Sequence, residues 1–145
     1  MPLNKCHFPL HGTETSRNTS LVTTATRSFG QLGERLALQR LHATGYTIRE
    51  TNYRSGAAGE IDIIAEQDGT IVFIEVKARR GSRNGTATEA VTPRKQERLI
   101  TLSETYAAEH TPDSPLRIDV IAIDFTPDGR LLSLNHYENA VTVEQ

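Results

Sequence analysis

Two strongly apolar runs, Ile61–Ala65 and Ile71–Val76, flank the tetrapeptide Gln67-Asp68-Gly69-Thr70. Asp-Gly between such runs predicts a tight β-hairpin, because both residues tolerate the positive φ that its turn demands. A two-residue loop at Asp68-Gly69 sets Asp62 opposite Glu75 and Glu60 opposite Lys77. Side chains alternate along a strand, so all four then share one face. Opposed Cβ atoms lie about 4.5–5.5 Å apart. Two carboxylates that close repel each other unless a proton or a cation sits between them. The pattern therefore asks for a divalent metal, with a lysine beside it. The opposite face carries Ile61, Ile63, Ile74 and Val76 and suits a core. A four-residue loop over Gln67–Thr70 keeps this register, whereas an odd loop would put the two acids on opposite faces. The plainer reading is an exposed hairpin with a Glu60–Lys77 ion pair, which leaves Asp62 against Glu75 as an unforced cost.

The 145 residues are enough for one domain with a real core. No run of about 18 apolar residues predicts a membrane span. Met1–Arg27 lacks the apolar stretch of a signal peptide, and the single Cys6 leaves no internal disulfide. These features point to the cytoplasm. The net charge of −2 does not advertise a polyanion partner, but its distribution does. Lys77 to Arg98 holds seven basic residues against two acidic ones, so this segment is +5 and the rest of the chain −7. A basic patch beside an acidic cluster suits a polyanion whose scissile group must meet a metal. A solvated charged face is the bland alternative.

The expected order is α-β-β-β-α-β-β, with no internal repeats. Residues 1–28 read as a flexible N-terminal extension, 29–137 as the domain and 138–145 as a tail. Cys6, His7 and His11 lack a fourth ligand at zinc spacing. Ser28 and Gln31 fit a capping box for a helix starting at Phe29, with Phe29, Leu32, Leu36 and Ala43 on its apolar stripe and Gly45 at its end. Tyr46–Tyr53 reads as the first strand, followed by the loop Ser55–Gly59. Gly81–Gly85 reads as a flexible basic loop. Thr92 and Pro93 open a second helix running to about Glu109, with Leu99, Leu102, Tyr106 and Ala107 facing a core. Leu116–Phe125 is apolar on both faces and hence central in the sheet. Pro127-Asp128-Gly129 turns into a last strand, Leu131–Tyr137.

Gly59-Glu60-Ile61-Asp62 followed by Glu75-Val76-Lys77 resembles the PD-(D/E)xK signature of restriction-endonuclease-like nucleases, with Ile61 where the signature has proline. More closely, several blocks in order resemble the YraN-type family of small bacterial proteins. They are Gly33-Glu34, Asn52-Tyr53-Arg54, Gly59 to Ile64, Val72 to Arg79, Ala90 to Gln96 and Arg117 to Val120. The likeness spans roughly Gly30 to Tyr137. It implies an α/β fold with a restriction-endonuclease-like core, a mixed central sheet flanked by helices. It also implies nuclease activity.

On this reading Asp62 and Glu75 are metal ligands and, with Lys77, the catalytic residues. The metal is Mg²⁺ or Mn²⁺, hard ions that take oxygen donors, and the Val76 carbonyl is a candidate third ligand. Lys77 orients the attacking water and stabilises charge building on the phosphate. Glu34 matches a helical glutamate that assists metal binding in related nucleases. Glu60 is a supporting residue or an ion-pair partner. Lys95 and Gln96 lie in the first turns of the second helix, where phosphate is attracted. Gln96 corresponds to a RecB-type glutamine, although Ile100 stands where that pattern has tyrosine. Arg54, Arg79, Arg80, Arg83 and Arg94 are phosphate-contact candidates without sequence readout. Asp119 reads as structural, and His42, His110 and His136 have no evident partner. The partner is then nucleic acid, DNA before RNA, with branched or flapped DNA as a candidate substrate. A homodimer or a protein partner is compatible with this. The competing readings are a non-catalytic nucleic-acid-binding or assembly module and hydrolysis of another phosphate ester.

Overall fold

The computed structural model describes residues 18–81, 91–111 and 113–142, with side chains from Phe29 onward. Cys6, His7, His11, Arg83 and most of the Gly81–Gly85 loop lie outside the described residues. The elements are α1 (Asn18–Ala43), β1 (Thr47–Arg54), a 3₁₀ turn (Gly56–Ala58), β2 (Glu60–Gln67), β3 (Thr70–Arg80), α2 (Pro93–His110), β4 (Leu116–Phe125) and β5 (Leu131–Val141). They form an α/β fold compatible with a restriction-endonuclease-like core.

The hairpin forms as its turn chemistry dictates. Asp68 and Gly69 have φ of 50° and 79°, and Gln67 pairs with Thr70. Positive φ at both central residues matches the twist of the flanking strands. The five strands lie in the order β1-β2-β3-β4-β5. All neighbours are antiparallel except β3 and β4, which are parallel. A parallel pair needs a crossover, and α2 supplies it. Sitting between β3 and β5, β4 is covered on both faces, with Ile118, Val120, Ile121, Ala122 and Ile123 all buried.

The sheet separates two cores. On one face Ile64, Phe73, Ile118 and Val120 pack with Leu99, Leu102 and Tyr106 of α2. On the other, Ile63, Val72, Ile74, Ile121 and Ile123 pack with Ala37 and Leu41 of α1. The predicted α2 core residues Leu99, Leu102, Tyr106 and Ala107 are all buried. Thr92 caps this helix by accepting a hydrogen bond from the Lys95 N–H at 3.3 Å, with Pro93 in the first turn. In α1 Phe29, Leu32 and Leu36 pack against the second core as expected, around the buried Ala37 and Leu41, whereas Ala43 is exposed.

Two boundaries differ from expectation. Among the described residues helix α1 already runs from Asn18, so Ser28 lies inside it rather than at its start. A capping box is a local option, and a longer helix overrides it when the backbone ladder continues upstream. Strand β5 runs beyond Tyr137 to the buried Val141. The C-terminal end of α1 is as read. Gly45 has φ of 87°, and the Tyr46 and Gly45 N–H groups bond the Leu41 and His42 carbonyls at 3.0 and 3.3 Å. This is the paired bonding of a Schellman ending.

Helix α1 meets β3 at Gly33. A Cβ built there would lie 2.9 Å from the Cβ of Ala78. Glycine thus lets the helix approach the strand closely enough to bring the next residue, Glu34, over the sheet. Gly33→Ala is expected to lose about 1–3 kcal/mol of stability by overpacking, read by urea unfolding. An unchanged midpoint would show that the helix shifts at little cost.

Candidate active site

The register that seats Ile63 opposite Ile74 ends there: the β2–β3 ladder pairs Ile63 with Ile74 and reaches no further toward Asp62. Beyond it the Val76 N–H donates to the Asp62 carboxylate at 2.8 Å. An aspartate side chain thus replaces a strand carbonyl as acceptor, and the two strands part. The consequence reaches the core. Ile61 packs on the α2 side while Ile63 packs on the α1 side. The expectation that both would share one apolar face is corrected: between Ile63 and Ile61 the strand leaves β3 while staying paired with β1, where Asn52 has φ of 55°.

Where the strands part, Asp62 and Glu75 line a cleft of about 470 Å³ together with Phe29, Gly30, Glu34, Lys77 and Arg80. A second cleft of about 310 Å³ lies on their other side, lined by Glu60, Lys95, Arg98 and Leu99 as well. Carboxylate oxygens of Glu34, Glu60 and Asp62 lie within 4.8 Å of one another. Burial, with the Glu75 charge next, pushes Asp62 up to about 7. Its hydrogen bond from Val76 works against this shift, and Glu34 adds to it. Glu34 is also raised, by burial and then by Glu60 and Glu75. Crowded like charges facing a low dielectric have this effect.

The sign of the Asp62 shift makes the cluster a stability cost in the absence of cations. Below the ordinary value of 3.8 the folded and unfolded chains are both protonated at Asp62, and no cost arises. The cost grows as the pH rises from about 4 and is complete above about 7. Asp62→Asn keeps an acceptor for Val76 and removes the charge. We expect it to be more stable than wild type at pH 8 in chelator by roughly 1–3 kcal/mol, and equal to it at pH 4. Thermal unfolding at both pH values checks this, and equal melting curves at pH 8 would refute it.

The basic residues divide. Lys95 forms an ion pair with the buried Glu75. Burial lowers the Lys95 pKa, but the hydrogen bond and charge of Glu75 outweigh it and leave it raised. Lys77 is half-buried in the first cleft, and its pKa is lowered by burial and then by the nearby Lys95. Glu60 pairs with Arg54 across β1 and β2, with Nε to Oε2 at 2.7 Å, so the expected Glu60–Lys77 pair is replaced. That replacement follows from the parted strands: the β1–β2 ladder continues to Arg54–Glu60 while the β2–β3 ladder has ended.

Gln96 donates to the Val91 carbonyl at 3.0 Å, inside its own helix entry. Arg80 donates to the Pro127 carbonyl at 2.6 Å and lies over the Phe29 ring, 5.2 Å from its centre. Arg79 lines the first cleft, and Arg94 is exposed at the start of α2. The fold thus gathers Glu34, Glu60, Asp62, Glu75, Lys77 and Lys95 into one place. It leaves Arg94 outside both clefts, as it does Arg54 and Gln96. Sequence reasoning gave no role to Phe29 or Arg98 here. The spacing of Lys95 and Arg98 on one helix face could have found the second.

Asp119 is fully buried, outside both clefts, and is structural, as expected. It accepts from Arg117 at 2.9 and 3.0 Å and from the Asn139 N–H at 2.9 Å, and it contacts His136 Nε2 at 2.7 Å. His136 thus has a partner that the sequence did not reveal. Its partner lies on β4, the neighbouring strand, and the contact depends on the β4–β5 register. His110 stacks on Tyr106 with ring centres 4.3 Å apart, so it too has a neighbour.

The fold and cleft define a class: an α/β domain whose parted hairpin presents carboxylates and a half-buried lysine at one end of the sheet. The chain belongs to the uncharacterised protein family UPF0102, the YraN-type family, whose profile matches residues 33–123. It is 47% identical to a UPF0102 protein of Symbiobacterium thermophilum, over 72% of this chain and 89% of the relative. It is 40% identical to one of Roseiflexus castenholzii, over 77% and 91%. A third, of Herminiimonas arsenicoxydans, is 37% identical over 81% and 90%. Among the described residues no helix is long and apolar enough to cross a membrane.

Proposed function

We propose that the protein is a metal-dependent nuclease that hydrolyses phosphodiester bonds in nucleic acid, DNA in the first place. The observation that carries this reading is the oxygen cluster of Glu34, Glu60 and Asp62 beside Lys77 in an open cleft. Its donors are all carboxylate oxygens, which fit Mg²⁺ or Mn²⁺. A cation would also relieve the repulsion that, with burial, raises Asp62. Such an ion supplies positive charge against the phosphate and makes water a better nucleophile.

The chain's own groups do the rest. Glu34, Glu60 and Asp62 would hold the ion, with Glu75, paired with Lys95, beside them. Lys77, half-buried between Lys95 and the acids Glu75 and Asp62, is placed to orient the attacking water and to meet charge developing on the phosphate. Arg79 and Arg80 at the rim of the same cleft suit flanking phosphates. Mn²⁺ is expected to raise the melting temperature of wild type and to leave that of Asp62→Ala unchanged, because a ligand that binds only the folded chain stabilises it. Equal shifts in both proteins would remove Asp62 from the ion site. Cleavage of a labelled panel (single strand, duplex, flap and four-way junction) with Mg²⁺, Mn²⁺ or chelator tests the activity itself.

The ion pair of Lys95 with Glu75 favours a second reading. It neutralises one acid without a metal, as a non-catalytic nucleic-acid-binding or assembly module would allow. Metal-independent retention of DNA without cutting would select it.

A further inference from the structure

Asp62 and Glu75 wall two clefts, and the two differ in character. The first has an apolar side formed by Phe29, Val76 and Ala78. The second is bounded by Glu60, Asp62 and Glu75 on one side and by Lys95 and Arg98 of α2 on the other. Lys95 already neutralises Glu75, and Arg54 neutralises Glu60. Arg98 makes no ion pair among the described residues and is the spare positive charge of this cleft.

Its position is also built. A Cβ at Gly59 would lie 2.8 Å from Arg98 Cδ and 3.7 Å from its Cγ and Nε. Gly59 has φ of 111°, in the region that favours glycine. The Arg98 stem therefore lies against a stretch of backbone that only glycine leaves bare, at the start of the strand bearing Glu60 and Asp62. A phosphate entering the second cleft without Arg98 would meet three carboxylates and one committed lysine. With Arg98 it meets a planar guanidinium, the group best shaped to grip two phosphate oxygens.

We propose that Arg98 binds the phosphate next to the scissile one, so that the substrate is a polynucleotide strand running from the first cleft into the second. A small isolated phosphodiester would use only half of the site. This inference rests on the nuclease reading of the site around Asp62 and Lys77. It assigns the apolar wall of the first cleft to base and sugar, and the guanidinium of the second to the backbone.

The test compares a labelled DNA oligonucleotide with bis(4-nitrophenyl) phosphate, both with Mn²⁺. In Arg98→Ala the ratio of kcat/KM on the oligonucleotide to that on the small diester is expected to fall about tenfold, mostly through KM. Gly59→Ala, which displaces the Arg98 stem, is expected to lower the same ratio. A fall shared equally by both substrates, or no fall, would overturn the proposal. Oligonucleotide binding in chelator, followed by anisotropy across a salt series, gives an independent reading. Loss of one phosphate contact lowers the salt slope by about one. If wild type cuts neither substrate, the nuclease reading falls, and the slope still decides. A slope lowered in Arg98→Ala keeps the phosphate contact, and an unchanged slope removes it. Arg98 is exposed, so the variant's melting temperature should match wild type and certify its fold.

Discussion

Lys77→Ala is expected to slow metal-dependent DNA cleavage by about 10²–10³-fold while largely sparing DNA binding. The reasoning starts from burial. The Lys77 ammonium sits half-buried, with Lys95 as its nearest cation and the acids Glu75 and Asp62 close by. A donor in such a place is oriented before substrate arrives, so it costs little reorganisation when charge develops on the phosphate. On the proposed nuclease reading, binding energy would come from elsewhere: from arginines at the cleft rims and from an ion held by the carboxylates. Truncating the lysine therefore removes an interaction that matters most in the transition state, and the loss falls on kcat. Single-turnover cleavage beside a binding isotherm separates the two. Equal losses in binding and cleavage would make Lys77 a simple anion contact. Undiminished cleavage would show that the chemistry lies elsewhere.

Asp119→Ala is expected to destabilise the fold by about 3–5 kcal/mol, the cost of stripping one partner from a buried charged network. Burial alone would raise this carboxyl's pKa, but the hydrogen bonds of His136, Arg117 and the Asn139 N–H outweigh it and hold it below 3.8. Arg117 also donates to the Tyr46 hydroxyl at 2.8 Å, which ties β4 to the end of α1. Asn139 has φ of 52° in β5, and the register of β4 with β5 shifts next to Asp119. The carboxylate thus takes the place of a missing ladder partner. Removing it leaves Arg117 short of its acid and the Asn139 N–H unsatisfied. Because the folded pKa is depressed, the stabilisation is complete above about 4 and is lost as pH falls below it. Urea unfolding at pH 7 and at low pH reads both effects. A loss under about 1 kcal/mol would mean that water replaces the carboxylate at little cost.

Much of the candidate site was legible because it is local. Glu60, Asp62, Glu75 and Lys77 belong to one hairpin, whose Asp-Gly turn sets the strand pairing as far as Ile63–Ile74, next to the two acids. Thr92 and Pro93 carry their own helix start. Lys95 was read as a supporting residue at a helix end that attracts phosphate, and its partner is Glu75 of a strand outside its own helix. Pairings of this kind escape a sequence, because they depend on where α2 docks. Glu34, named from the resemblance alone, joined the carboxylates because Gly33 permits a close approach to Ala78, which depends on where α1 docks. Arg98 and Phe29 became cleft walls for the same reason.

The chain by itself determined the hairpin, its register near the turn, the α2 cap and the two-sided burial of β4. These follow from turn stereochemistry, side-chain alternation and capping, which act over a few residues. Only the tertiary structure decided that the β2–β3 ladder stops at Ile63, that Asp62 takes the Val76 N–H, and that Ile61 turns to the opposite core. It also decided that Glu60 pairs with Arg54 and Glu75 with Lys95. The reason is physical: a charged group in a cleft settles against whichever opposite charge packing brings nearest, and that distance is set by helices docking on a sheet, not by spacing along the chain.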